Sequence, residues 1–441
     1  MVLLRRGVGQ LVVNGAMKRG KGMYRVMYMH SHVIREQYDA LKVFPEFEEA
    51  RADALSGRYT VSIPKVERVA SIMQSNMGPA SLMAIATEIE LADQRSRAGD
   101  PRAALAGLDG KSFGPQGDAY MCLPRAVILL RGGDLDGALE AAERATSTCE
   151  AQSQADMDLS IFPACYGTLG VCRALVGDSD GSEEVLQMAA RWSSDAVNVL
   201  VSMGNLGSLH WSAAVASGDD NTVRTERIKE ALAYWSEGTS HAIEIVMQGS
   251  LTDGAGAAAS LCGVSSDEGM VTKTNSSKQE GSGGDLSQLE EMLKSDAILA
   301  EAYASVLCST AMAHKALGAG ETASEALSAA LKALEGHDGP VLGRVLAEMG
   351  RMYADNLQAV QAEGLFRSAL DKLTSPRADG DIRFLCNEYE ARQDYGKLLS
   401  QWDKREKDAE QQKSVAREVE AKLSEHFPDY DTTTVSTWLF Y

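Results

Sequence analysis

Proline is scarce in this chain, and so are aromatic side chains. The 441 residues include 10 prolines, and phenylalanine, tryptophan and tyrosine together make up 6%. Regularly spaced alternating runs of β-branched residues, which would indicate strands, are also lacking. Alanine, leucine and glutamate dominate instead, and these residues favour helix. We therefore expect an all-α protein.

The sequence also lacks the signatures of membrane spans and of catalysis. No apolar run reaches 18 residues, so no transmembrane helix is expected. No GxxxxGK(S/T) phosphate loop, GxGxxG after a strand, HExxH or GxSxG occurs. His30 and His32 could share a metal, but no cysteine or carboxylate cluster with ligand spacing stands nearby. We predict no enzyme activity, no cofactor and no metal site.

Acidic residues are absent from the first 35 positions, although the whole chain carries a net charge of −19. An acidic protein repels phosphates, so nucleic-acid binding is not expected. A basic leader, placed at 1–40 and free of acids over its first 35 residues, is typical of a mitochondrial transit segment. The alternative is a basic arm that docks a cytoplasmic protein on a partner. The basic residues are Arg5, Arg6, Lys18, Arg19, Lys21, Arg25 and Arg35.

A shift of the chain by 34 residues aligns two similar segments. AGDPRAAL at 98–105 falls on GGDLDGAL at 132–139, and each lies between amphipathic helical stretches. The Gly-Asp pair suits a tight turn, because Gly adopts left-handed dihedrals and Asp caps the next helix. A repeat of this length predicts a solenoid of helix pairs.

Residues 350–370, GRMYADNLQAVQAEGLFRSAL, space their small and aromatic residues as in the tetratricopeptide repeat (TPR) family. Small residues let two antiparallel helices approach, and a large ring fills the space beside them. The resemblance covers about eight repeats and implies a right-handed α-solenoid of antiparallel helix pairs, a TPR superhelix. AEGLFRSAL at 362–370 is similar to kinesin-light-chain-like repeats. The residues that carry the spacing are Gly350, Tyr353, Ala362, Phe366 and Ala369.

A segment rich in Gly, Ser, Asn and Thr interrupts the repeats at 249–286. This composition predicts a flexible linker or insertion. It lies between a TPR array at 45–248 and a second array with a capping helix at 287–425, which an aromatic tail at 426–441 follows. The sequence leaves open whether the linker separates two solenoids or interrupts one.

The TPR resemblance implies a concave groove lined by positions 2, 5, 9 and 12 of each first helix. In the repeat of Gly350 two of these positions are Arg344 and Arg351, which share a helix face because they lie seven residues apart. They could hold a carboxylate, or they could pair within this acidic chain. Elsewhere the groove is small and apolar, which suits an amphipathic helix or an extended apolar segment. The other groove residues that we select are Tyr120, Leu123, Val127, Val201, Asn205 and Trp211.

The C-terminal segment TTTVSTWLFY, 432–441, is uncharged in its side chains. If left free, its anchor residues Trp438, Phe440 and Tyr441 would form an exposed apolar patch. Either they dock on the last helices of the chain or they anchor it to a partner. The groove could also be filled by the chain itself, through residues 1–40 or the C-terminus.

Together these features predict a non-enzymatic scaffold that binds one or more proteins through its groove. The basic leader favours a role in mitochondrial complex assembly or organisation. The alternative is a cytosolic trafficking or cytoskeletal adaptor that docks through its basic N-terminus. Partner identity and oligomeric state are not determined by the sequence.

Overall fold

The computed structural model describes most of the chain between residues 32 and 439. Three parts of the chain with sequence predictions lie outside the described residues. They are residues 1–31 of the leader, which include His30, most of the predicted linker, and Phe440 and Tyr441 of the tail. The described ranges are 32–55, 58–98, 100–108, 114–151, 161–218, 220–252, 285–375, 381–426 and 435–439.

The regular elements of this described part are eighteen helices, so the all-α prediction is confirmed. The first nine are α1 His32–Leu41, α2 Pro45–Leu55, α3 Tyr59–Met77, α4 Leu82–Arg97, α5 Pro101–Leu108, α6 Gly114–Arg131, α7 Leu135–Ala151, α8 Phe162–Leu175 and α9 Ser179–Trp192. The others are α10 Ala196–Ala216, α11 Asn221–Thr252, α12 Asp285–Ser295, α13 Ala297–Ala316, α14 Gly320–Ala333, α15 Pro340–Asp355, α16 Ala359–Leu373, α17 Ile382–Ser400 and α18 Glu406–His426.

Consecutive helices pack in pairs, and the pairs stack into a solenoid. The first helix of each pair from α4 onward also packs on the first helix of the next pair, which places these helices in one inner layer. The second helices pack mainly on their own partner and on the following first helix. The pairs are α2–α3, α4–α5, α6–α7, α8–α9, α10–α11, α13–α14, α15–α16 and α17–α18.

Glycines on the first helices allow the close approach of the second helices. A Cβ atom on Gly350 would lie 3.1 Å from Cε1 of Phe366, whose side chain is fully buried. On Gly207 it would overlap the indole ring of Trp235. Any larger residue at these positions would force the helices apart, since protein interiors are close-packed. The small and aromatic spacing at 350–370 is therefore a packing pattern.

The predicted Gly-Asp turn at Gly133 and Asp134 connects α6 to α7, whereas Gly99 of the other predicted turn lies outside the described residues. Gly133 has φ 82°, a left-handed conformation that is easy only for glycine. The carboxylate of Asp134 then accepts a hydrogen bond at 3.0 Å from the amide of Gly137 and caps α7. Leu357 holds the equivalent left-handed position before α16, with φ 59° and a side chain that is 90% exposed.

The helix pairs on either side of residues 253–284 pack directly against each other. Helix α13 contacts both α10 and α11. A Cβ atom on Gly204 of α10 would lie 3.3 Å from Cγ2 of Val306 on α13. The inner layer of first helices thus continues from α10 to α13.

A buried ion-pair cluster joins the beginning of the solenoid to its end. Arg97 and Arg131 both approach Asp93, at 3.0 and 3.3 Å. Arg131 also lies 3.8 Å from Asp381, the N-cap of α17, which Arg383 contacts at 2.6 Å. The side chains of Arg131 and Asp381 are at most 2% exposed. Through Arg131, helix α6 therefore reaches the N-cap of α17 in the last helix pair.

Candidate functional site

Helix α10 stands in the middle of the inner layer and is buried on almost every side. Its N-cap Asp195 accepts a hydrogen bond at 2.9 Å from the amide of Asn198. Trp235 of α11 donates its indole N–H to the carbonyl of Gly204 at 2.9 Å. Neighbouring helices on both sides and α11 behind fix its position, so α10 presents a rigid face to the groove.

The C-terminal residues Val435–Leu439 occupy the groove beside α10. The amide nitrogen of Leu439 donates to Asn205 Oδ1 at 2.8 Å, and Asn205 Nδ2 donates to the carbonyl of Leu439 at 3.1 Å. Ser208 Oγ donates to the carbonyl of Thr437 at 2.9 Å. Each of the five tail residues is at most 7% exposed. The groove thus holds a peptide segment by its backbone.

The side chain of Leu439 packs on Gly204 in an uncharged pocket of the groove. A Cβ atom on Gly204 would lie 2.6 Å from Cδ1 of Leu439, so only glycine leaves this space open. A cavity of about 20 Å³, enough for a single water, remains beside the leucine. Side chains from α6, α8 and α10 line it without a charged group, among them Val127, Leu130, Ala164, Val171, Val201 and Asn205.

Three of the groove residues selected from the sequence meet at this pocket, namely Val127, Val201 and Asn205. Tyr120 and Leu123 are buried earlier on α6 and are not part of the cavity lining. Trp211 is buried one turn beyond Ser208, and its ring packs 6.4 Å from that of Trp235. Trp438 of the tail is 2% exposed.

Thr437 and Leu439 are hydrogen-bonded to the middle of the chain, which matches the alternative of a groove filled by the chain's own C-terminus. Sequence reasoning did not identify Ser208 as a ligand of the tail. Two features of the sequence indicate such a contact, namely an uncharged tail and an asparagine on a helix face of small residues, because the amide can bind the backbone of an apolar segment. Nothing in a one-dimensional pattern specifies which groove segment the tail reaches.

Both predicted groove arginines are engaged inside the chain, Arg344 buried and Arg351 partly buried. Arg351 contacts Glu390 at 2.9 Å and Asp394 at 2.6 Å, both on α17, and also Glu348 on its own helix. Arg344 is 3% exposed and donates to Ser309 Oγ at 2.8 Å. The role of this pair in partner binding stays a prediction.

Three carboxylates around one guanidinium form an acidic site between α15 and α17. Burial raises the pKa of Glu390, against the opposing attraction of Arg351. Glu390 Oε2 accepts from Arg351 Nη2, whereas Oε1 is buried without a hydrogen-bond partner among the described residues. Glu390 therefore carries a destabilised negative charge.

The described residues contain no helix that meets the length and apolarity required to cross a bilayer. Within the same ranges, no group of three or more His, Cys, Asp or Glu side chains is arranged to hold a metal ion. Cys149 and Cys165 lie close, with 3.6 Å between their sulfur atoms, and both are fully buried. A hydrogen bond with Cys149 and burial raise the pKa of the Cys165 thiol, which keeps it protonated.

No protein-family model matches this chain, and no curated protein matches it. Among solved structures, it is similar to a tetratricopeptide repeat protein from Parabacteroides merdae ATCC 43184, with 10% identity, a TM-score of 0.33, and coverage of 76% of this chain and 93% of the other.

Human IFIT1, solved as a dimer with m7Gppp-AAAA, shares 12% identity at a TM-score of 0.38, over 92% of this chain and 76% of IFIT1. Yeast Tom70 shares 12% identity at a TM-score of 0.29, over 99% and 93%. At these identities and TM-scores the similarities support no statement about function.

Proposed function

We propose that this protein is a non-enzymatic helical-repeat scaffold whose groove along α10 binds a segment of a protein partner. The observation that supports this is the seated tail, in which Asn205 and Ser208 hold backbone groups. Backbone-directed contacts of this kind accept a peptide of any origin, while the adjoining pocket selects its side chain. A scaffold needs both properties to hold a particular protein.

Partner binding is tested by quantitative affinity purification with the full chain. Wild type is compared with Asn205→Ala/Ser208→Ala and with Ser212→Ala. Ser212 lies on the same helix, but its hydroxyl donates to the carbonyl of Ser208 within α10 and not to the tail. Groove-dependent partners should be recovered from wild type and the control but lost with the double variant. Equal recovery of every co-purifying protein from all three would contradict the proposal.

The cellular setting that we propose is the mitochondrion, in the assembly or organisation of protein complexes. This rests on the basic leader, where seven Arg and Lys residues precede the first acid, Glu36. Cell fractionation with N-terminal sequencing tests it. A mitochondrial protein that has lost its leader is expected. An intact Met1 on a cytosolic protein would favour the trafficking or cytoskeletal adaptor instead.

A further inference from the structure

We infer that the tail Val435–Leu439 is a displaceable ligand of the protein's own groove, and that the partner carries a segment of the same chemistry. This segment is uncharged, non-helical, and has a leucine-sized aliphatic side chain at the position of Leu439. The inference rests on the proposed function and deepens it, because the tail and the partner compete for the same atoms of Asn205 and Ser208.

The hydrogen bonds of Asn205 define the backbone conformation of the ligand. Its amide uses the N–H and the C=O of a single residue, Leu439. Inside an α-helix both groups are already bonded to residues four positions away. The tail meets this requirement because residues 435–438 form one turn, with Trp438 N donating to Val435 O at 3.3 Å, and Leu439 follows it. An amphipathic helix would leave Asn205, which is 1% exposed, without partners.

The pocket defines the side chain. Its lining is neutral, and Gly204 leaves space for one branched aliphatic group with about 20 Å³ to spare. A charged side chain would lose its hydration there without gaining a counter-ion. Methionine or isoleucine should therefore replace leucine with little loss, whereas glutamate or lysine should abolish binding.

The tether gives the tail a competitive advantage over a partner in solution. Eight residues lie between His426, the end of α18, and Val435, a length of chain that can span up to about 30 Å. Short tethers of this kind hold a ligand at an effective concentration in the millimolar range. A free segment of equal intrinsic affinity should therefore bind about tenfold or more weakly to the intact chain than to a chain with its tail released.

Fluorescence anisotropy with a labelled synthetic peptide of residues 431–441 tests this on the full-length protein. Four chains are compared: wild type, Leu439→Glu, Leu439→Glu with Asn205→Ala, and Leu439→Glu with Ser212→Ala. Leu439→Glu should bind the peptide at least tenfold more tightly than wild type. Adding Asn205→Ala should weaken binding about tenfold, while adding Ser212→Ala should change it less than twofold. A peptide with glutamate at its leucine position should not bind.

Equal affinity of wild type and Leu439→Glu for the peptide would contradict competition between the tail and the peptide. An affinity that Asn205→Ala does not change would contradict peptide binding at Asn205. A wild-type dimer by light scattering that dissociates on Leu439→Glu would show that the tail belongs to a second copy. If Leu439→Glu does not fold, hydrogen exchange on wild type replaces it. Excess peptide should then speed exchange at the protein's own Leu439 amide, and no change would overturn the inference.

The peptide titration and the partner purification together distinguish this inference from the proposed function. Peptide binding that depends on Asn205, together with partner recovery that does not, would contradict the scaffold proposal and the shared partner chemistry. The tail would then be an internal latch. Partner recovery that depends on Asn205, together with unchanged peptide affinity on tail release, would instead retain the scaffold and overturn the competing tail.

Discussion

The side-chain amide of Asn205 forms two hydrogen bonds with the backbone of Leu439, a residue 234 positions later in the chain. The pair connects the centre of the inner helix layer to the C-terminus. It also turns a small-residue helix face, which would otherwise be an open apolar groove, into an occupied one. The groove and the tail are therefore one structural unit.

Replacing Asn205 by alanine should lower the free energy of unfolding by about 1–3 kcal/mol. The change leaves the amide and carbonyl of Leu439 without their partners in a buried place. Ser212→Ala, on the same helix, should cost less than about 1 kcal/mol, because it removes only a local hydroxyl bond. Urea denaturation measures both. Equal losses of unfolding free energy in the two variants would contradict the claim that Asn205 holds the tail.

A methyl group added at Gly207 should destabilise the protein, although alanine favours helix more than glycine does. The new Cβ would overlap the Trp235 ring, and overpacking of this kind costs about 1–3 kcal/mol. Gly364 is the matched control, since it lies inside α16 with no atom within 4 Å of an added Cβ. Gly364→Ala should stabilise by about 0.5–1 kcal/mol. Thermal unfolding should show shifts of opposite sign.

Asp93→Asn should cost about 2–4 kcal/mol of stability. The buried Arg131 and the partly buried Arg97 would then have one carboxylate fewer, and removing one member of a buried ion pair is strongly destabilising. Asp39→Asn, in the exposed pair with Lys42, should cost less than about 1 kcal/mol. Denaturant unfolding of the two variants measures both losses of unfolding free energy. A small loss for Asp93→Asn would mean that the cluster does not hold the ends of the solenoid together.

Glu390→Gln should gain stability relative to wild type as the pH rises. Burial raises the pKa of Glu390 above its ordinary 4.5, so the folded state binds a proton more tightly than the unfolded chain does. That contribution is complete below pH 4.5 and is lost as the pH rises through the folded pKa. Glutamine has no such proton to lose, so the stability of the variant relative to wild type should increase as the pH rises above 4.5. The carboxyl group of Glu390 faces three charged side chains, those of Glu348, Arg351 and Asp394. A difference independent of pH would contradict the raised pKa.

The helix pairs were predictable because their signals are local. Spacings such as Gly350 to Phe366 reflect contacts between neighbours in sequence, and a glycine opposite a ring can be recognised without coordinates. Turn chemistry at Gly133 and Asp134 is local as well. The same regularity identified Val127 and Val201 as groove positions.

The long-range relations were not predictable, because they depend on how the small rotations between pairs add up along the solenoid. Asp93 and Asp381 look like ordinary surface acids in the sequence, yet both are buried on Arg131. Arg351 was selected for a partner's carboxylate, and α17 supplies Glu390 and Asp394 to it. The curvature of the array decides which of these groups meet.

The most direct measurement of the central claim, that the tail occupies the groove of α10, is a cross-link between Gly204→Cys and Leu439→Cys. The leucine side chain lies where a Cβ on residue 204 would be, so two cysteines there should be within disulfide reach. Mild oxidation at low protein concentration should give an intramolecular disulfide, detected by mass spectrometry. Val360→Cys with Leu439→Cys, where Val360 is 74% exposed on α16, is the control and should not cross-link. A monomer without the disulfide between positions 204 and 439, or with the same yield in both pairs, would contradict the account.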